Sequence, residues 1–177
     1  MVTGHFTTAL VPYSKNKEYP LFLLLIIVQI QDLLIPLDLI TQKLGISELS
    51  SLQMTYSHDI IPAAIMAILV GIIMYIIYKD RNLALWSLGL VVFHEICDLF
   101  SGFSHNIFGT DTMSIGFDFY RTAPMNAYII EFLLAVVCLS YFVIQRKKDN
   151  DPISMKKLIL LSSVIFLPII GMMINAA

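Results

Sequence analysis

Apolar residues fill five long stretches of the chain, and polar residues crowd the gaps between them. The stretches are Leu21–Ile40, Ile60–Tyr78, Leu83–Phe103, Met125–Ile144 and Leu158–Ile174. Each falls within the roughly 17–25 residues that carry a helix across a hydrocarbon core of about 30 Å. Lipid offers no partner for backbone amides and carbonyls, so each stretch is expected to be helical. The pattern predicts an all-α, polytopic membrane protein with about five transmembrane helices, forming a single domain over residues 1–177. The opening segment, "MVTGHFTTALVPYS", is too short to span. It is expected to form a short N-terminal helix, either on the surface or re-entrant. The first long apolar run has no small-residue cleavage site after it, so a removable signal peptide is not expected.

Composition supports this reading. Hydrophobic residues make up 58% of the 177 positions, too many for a soluble domain that must also present a polar surface. A net charge of -2 gives no sign of a nucleic-acid partner. The two cysteines, Cys97 and Cys138, both fall inside apolar stretches and read as small core residues rather than a disulfide framework. Charge also sets an orientation. Lys15 and Lys17 precede the first stretch, Lys79–Arg81 joins the second and third, and Arg146–Lys148 with Lys156 and Lys157 lies between the last two. The alternate loops, 41–57 and 104–124, hold only Lys43 and Arg121. Basic loops stay on the cytoplasmic side, so the N-terminus is expected to be cytoplasmic and the weakly charged loops to lie on the far side.

The interruptions within the apolar stretches carry the chemistry. The third reads "VVFHEICDLFSGFSHN", with His94, Glu95, Asp98 and His105. At about 100° per residue, Asp98 lies about 40° from His94, and His105 about 20° from it if the helix continues that far. Glu95 points about 100° away, towards another neighbour or the edge of the same cavity. The first stretch carries "VQIQDLLIPLD", with Gln29, Gln31, Asp32 and Asp38, and Pro36 is expected to kink it. At the head of the second, "TYSHDIIPAA" offers Ser57 or Asp59 as a cap and places His58 at the mouth. Glu131 lies about six residues inside the fourth, and the fifth has no ionisable residue.

These groups concentrate in the outer half of four helices and leave the inner half nearly bare. Each costs about 2.5–3.5 kcal/mol at a helix centre on insertion scales, so their gathering calls for pairing or for a bound cation. Three histidines (His58, His94 and His105) and three carboxylates (Asp32, Asp98 and Glu131) make a mixed shell that suits zinc first, then manganese or iron. Buried carboxylates beside histidines are also what metal-assisted hydrolysis requires. The bland alternatives are a hydrogen-bonded His94–Asp98 pair and interfacial histidines at positions 58 and 105.

At these residues the chain resembles the bacterial and archaeal membrane-bound metal-dependent hydrolases (YdjM-like), regarded as distant relatives of zinc-dependent phospholipase C and the zinc nucleases. The resemblance rests on an ordered set: "TGHFTTAL" with His5, "IQDLL" with Asp32, "TYSHDII" with His58, "FHEICD" and "SH" with His94, Asp98 and His105, then "IGFDFY" and "YIIEFLL" with Glu131. It runs from residue 5 to about residue 141. The chain departs from the family pattern in three places. Asp59 replaces a serine after His58, the loop following His105 is longer, and Tyr120 stands in place of a tryptophan. The resemblance adds His5 to the metal ligands and implies a prokaryotic cytoplasmic membrane.

The expected function is a metal-dependent hydrolase holding one to three zinc ions and acting on a lipid or lipid-linked ester near the outer leaflet, a phosphoester first. Its metal ligands would be His5, Asp32, His58, His94, Asp98, His105 and Glu131. Asp32 or Glu131 would serve as the catalytic base, and Arg121 and Tyr120 would contact substrate. The alternative is a non-enzymatic metal-binding membrane protein, whether permease, sensor or scaffold. Polar groups absent from the inner half disfavour a permeation path.

Overall fold

A computed structural model describes residues 4–34, Lys43 and residues 55–176. It is all-helical apart from one minimal hairpin. A 3₁₀ turn, His5–Ala9, leads into α1 (Leu10–Lys15), followed by α2 (Leu21–Val28), α3 (Ile60–Tyr78) and α4 (Arg81–Ser101). Strands β1 (His105–Asn106) and β2 (Ser114–Ile115) then pair antiparallel, and α5 (Phe119–Thr122), α6 (Pro124–Lys148) and α7 (Met155–Ala176) complete the chain. Helices α3, α4, α6 and α7 are long and apolar enough to cross a membrane. The protein is a multi-pass membrane protein.

Four of the expected spans reappear as these helices, and Ile60–Tyr78 keeps its predicted bounds. The first does not form one continuous helix over residues 21–40. Helix α2 stops at Val28, residues 29–31 turn, and Asp32–Leu34 is 3₁₀. The polar run explains the break. Gln31 turns inward, and its amide nitrogen donates to the Ser57 carbonyl (3.1 Å) and to Glu95 Oε2 (2.9 Å). A straight lipid-facing helix would leave that amide unpaired, at a cost of several kcal/mol in hydrocarbon. Pro36 and Asp38, expected to shape the rest of that span, lie outside the described residues.

Local rules account for the other helix ends. Asp80 caps α4 by accepting from the amides of Asn82 (2.8 Å) and Leu83 (3.0 Å). Asp59 occupies the N-cap position of α3, yet its carboxylate makes no cap bond there. It accepts instead from the Gly109 amide at 2.5 Å, and Ser57 spends its hydroxyl on His58 Nδ1. Helices α3 and α4 pack closely where Gly71 meets Leu88: a Cβ on Gly71 would sit 3.2 Å from that side chain. Pro168 is tolerated inside α7, as is usual in membrane helices.

The N-terminal segment fills the centre of the bundle as a helical hairpin. On one side, Leu24, Ile27 and Val28 of α2 share a core with Ala67, Val70 and Met74 of α3 and with Leu90 and Val91 of α4. On the other, Leu10 of α1 packs with Ala135, Leu139 and Phe142 of α6 and with Ile165 and Ile169 of α7. Its tip is pinned at the basic end of the molecule, where Lys17 Nζ meets Asp151 at 2.7 Å and Lys15 lies over the Tyr141 ring. Lys15 and Lys17 therefore share an end with the α3–α4 turn and the α6–α7 loop, as the charge pattern predicts. Residues 4–9 take the re-entrant course rather than the surface one: from that tip the chain reaches back into the bundle, so His5 is deep and fully buried rather than beside the lysines.

Candidate metal centre

Helix α4 supplies the middle of the site. His94 and Asp98, one turn apart, are both buried, and His94 Nε2 lies 3.3 Å from Asp98 Oδ2. Helical spacing makes this pair inevitable once α4 forms. The broken end of the first span delivers Asp32, whose Oδ1 is 3.2 Å from His58 Nε2 and whose Oδ2 is 3.8 Å from His94 Nε2. Residues 55–58 are helical and set His58 just before α3, with Ser57 Oγ 2.5 Å from its Nδ1. The hydroxyl fixes the ring orientation and leaves Nε2 facing Asp32.

Asp32, His58, His94 and Asp98 each offer a ligand atom, and those atoms lie within 4.8 Å of one another. Three of the four residues are buried, and Asp32 is the partly open member. Such a group of imidazoles and carboxylates could hold a metal ion. The satisfaction of polar atoms favours that reading. Both ring nitrogens of His94 and of His5, and Asp98 Oδ1, are buried without a hydrogen-bond partner. Buried polar atoms left unpaired cost about 1–3 kcal/mol each, so a cluster of them signals a missing partner for which these donors are suited.

The remaining sequence-predicted residues fall around this core. His5 packs its ring 4.4 Å from that of His94, with Nε2 3.8 Å from Asp98 Oδ1. His105 does not share the His94 stripe, because α4 ends at Ser101 and the chain returns through β1. It reaches the site from above: its ring lies 5.4 Å from that of His58, and its Nδ1 meets Glu95 Oε1 at 2.6 Å. Burial alone would lower the His105 pKa, but the hydrogen bond to Glu95 and the Glu95 charge outweigh it and hold the pKa above the ordinary value. Glu131 is buried outside the four-residue group. It accepts from the Gly4 amide at 3.2 Å and from the Tyr120 hydroxyl. Arg121 engages Asp118 at 3.7 Å and lies over the Phe103 ring.

Glu95 is the residue the periodicity argument undervalued. It points off the His94 stripe and binds Gln31 and His105, so it ties the broken first span to the loop after α4. The signal was its own burial cost: a carboxylate in a span needs partners, and the chain offers a glutamine and a histidine at matching depth. Above it, the hairpin is fastened like a roof. Ile61 donates to the Ile107 carbonyl (3.1 Å), Gly109 to Asp59, and Phe117 to the Leu99 carbonyl (3.0 Å).

Comparison with protein-family models finds no match, and comparisons with curated proteins and with solved structures find none either.

Proposed function

We propose that the protein is a metal-dependent membrane hydrolase, with zinc as the first candidate ion, acting on a lipid or lipid-linked ester and on a phosphoester first. One observation carries the reading: donors from three separate segments converge within 4.8 Å in a membrane bundle, and His94 Nδ1 and Asp98 Oδ1 are buried with no hydrogen-bond partner. The resemblance to membrane-bound metal-dependent hydrolases, drawn from motif order, points the same way.

A divalent cation held by Asp32, His58, His94 and Asp98 would supply a Lewis acid and an activated water nucleophile. Asp32 is the most open of the four and places one oxygen towards each histidine, so it is positioned to orient the water and take its proton. Ser57 fixes the orientation of the His58 ring, and Glu95 accepts from His105 Nδ1, leaving each Nε2 for the site. His105, protonated more readily than usual, can return a proton to the leaving oxygen. His5 extends the donor set on the far side of His94, and together with Asp98 it would help hold a second ion. Glu131 acts through the backbone here: by holding Gly4 it places His5.

Among the described residues, the buried histidines and carboxylates gather in one half of the bundle, away from the basic loops. This favours a hydrolytic site over a permeation path. Assignment of the basic end to the cytoplasm follows the charge rule. The test is metal analysis of protein purified in mild detergent without chelator, followed by turnover of a phospholipid panel. About one equivalent or more of a transition metal is expected, and less than about 0.3 would defeat the proposal. Turnover should disappear in His58→Ala; a variant that retained it would remove the hydrolytic assignment.

A further inference from the structure

One residue beyond His5 begins a groove whose walls are apolar and which opens to the lipid side between the N-terminal hairpin and α7. Phe6 and Thr7 form its upper end, immediately after His5, and Leu21, Leu25, Leu161 and Val164 line its course. The one polar residue among these is neutralised: the Thr7 hydroxyl bonds the Gly4 carbonyl at 2.5 Å and is not offered to the groove. The cavity measures about 340 Å³, in the range of about 300–1,000 Å³ typical of small-molecule sites.

We infer that this groove holds one acyl chain of the lipid whose head group is presented to the metal centre. The inference rests on the proposed hydrolase reading and supplies its substrate class. Direction is the main argument. Leu21 opens α2 just beyond the Lys17 tip and Leu161 lies near the start of α7, both towards the basic end, while Phe6 follows His5, whose ring packs on that of His94, so the groove runs from the level of the cluster towards the basic end. A lipid from the leaflet opposite the basic loops has its ester near the cluster and its chains pointing along that course. One from the basic leaflet would have its head group at the wrong end. Burial adds a second argument. Val164 is 62% exposed and Phe6 38% exposed, whereas Ile165 and Leu10 behind them are buried, so the groove has an open mouth and a packed floor. The surrounding lipid is as apolar as these walls, so the groove gains little affinity from the hydrophobic effect. Its contribution is position: a chain held there fixes where the ester falls relative to Asp32 and His94.

The test uses the full-length protein in lipid nanodiscs doped with a phosphatidylcholine that carries a diazirine at mid-chain. After irradiation, adducts are mapped by mass spectrometry. Adducts on Phe6, Leu25, Leu161 and Val164 should exceed those on the lipid-facing Ile73 and Ile76 of α3 several-fold. Val164→Trp, at an exposed position that tolerates bulk, should reduce the groove adducts and leave those on α3 and the metal content unchanged; Leu25→Trp should do the same from the other wall. Adducts spread evenly around the bundle would overturn the inference, as would a groove occupied by a second copy of the chain. The readout needs no turnover. Groove labelling in a metal-free protein would defeat the hydrolase reading alone, and uniform labelling in a metal-loaded one would defeat the groove alone.

Discussion

Helices α4 and α7 are both long and apolar enough to span a bilayer, yet the bundle uses them oppositely. Half of the apolar window of α4 is buried within the protein, against 11% of that of α7. Helix α4 carries His94, Glu95 and Asp98 at its buried positions, whereas α7 buries only Ile165 and Ile169. The difference teaches where chemistry can reside in a membrane protein. An ionisable side chain needs partners on several sides, and only a helix surrounded by α2, α3, α6 and the N-terminal turn provides them. Helix α7, held mainly by α6, is a wall, and apolarity suffices for it.

The contrast breaks most visibly at His94. Replacing it with leucine makes α4 more apolar and should favour insertion, yet it removes a central ligand and takes from Asp98 Oδ2 its neighbour at 3.3 Å. Leaving a buried carboxylate without its partner costs about 3–5 kcal/mol, so detergent-solubilised His94→Leu should lose most of its thermal stability together with its metal. Ser163→Leu on α7, a change of similar chemical kind, should leave both within error. Equal losses from the two substitutions would erase the distinction between the helices.

A smaller effect is expected where the N-terminal turn is anchored. A Cβ on Gly4 would lie 3.0 Å from Glu131 Cβ and 3.1 Å from the Glu131 carbonyl oxygen, so Gly4→Ala must push the turn away from α6. Displacing a group that positions a ligand typically costs about 10–100-fold in metal affinity, and competition titration with a chelator should read a loss at the lower end. Glu131→Gln sharpens the point. A glutamine retains one acceptor oxygen for two donors, Gly4 N–H and Tyr120 O–H, and the unpaired donor should cost about 1–3 kcal/mol of stability. If Gly4→Ala changed neither stability nor metal affinity, the anchoring role would be wrong.

Much of this contrast was readable from residue order, for a physical reason. A span that is lipid-facing on most of its circumference is specified by hydropathy alone, so the bounds of α3, α4, α6 and α7 fall within a few residues of expectation. The His94–Asp98 pair was equally legible, because four residues make one helical turn. What escaped was tertiary. The end of α2 at Val28 depends on Gln31 finding Glu95 and the Ser57 carbonyl, residues far away in sequence. His105 joins the site through a loop rather than a helical stripe, and Glu95 gains its importance only when that loop folds back. For residues 4–9 a surface and a re-entrant course both stayed open, because two lysines fix the tip of the hairpin and say nothing of the arm before it.

The smallest effect belongs to the basic end, where the same kinds of charge meet water instead of the core. Asp151 receives Lys17 at 2.7 Å and Arg146 at 2.8 Å, closer contacts than those of His94 with Asp98 and Asp32. The hydrogen bond from Lys17 is the leading reason its carboxyl sits below the usual carboxylate range, with the Arg146 charge adding to it. A depressed carboxylate contributes fully above its unfolded pKa of about 3.9 and loses that contribution as pH falls through the lower folded value. Between about pH 5 and 8 the pair is therefore constant and cannot shape a pH profile. Asp151 is half exposed and screened by salt, so Asp151→Asn should shift the melting temperature far less than Gly4→Ala, and less still at high ionic strength. A loss comparable to that of Gly4→Ala would mean that charge counts as much at the wet end as in the core, and the sorting of α4 from α7 by burial would no longer explain where the chemistry lies.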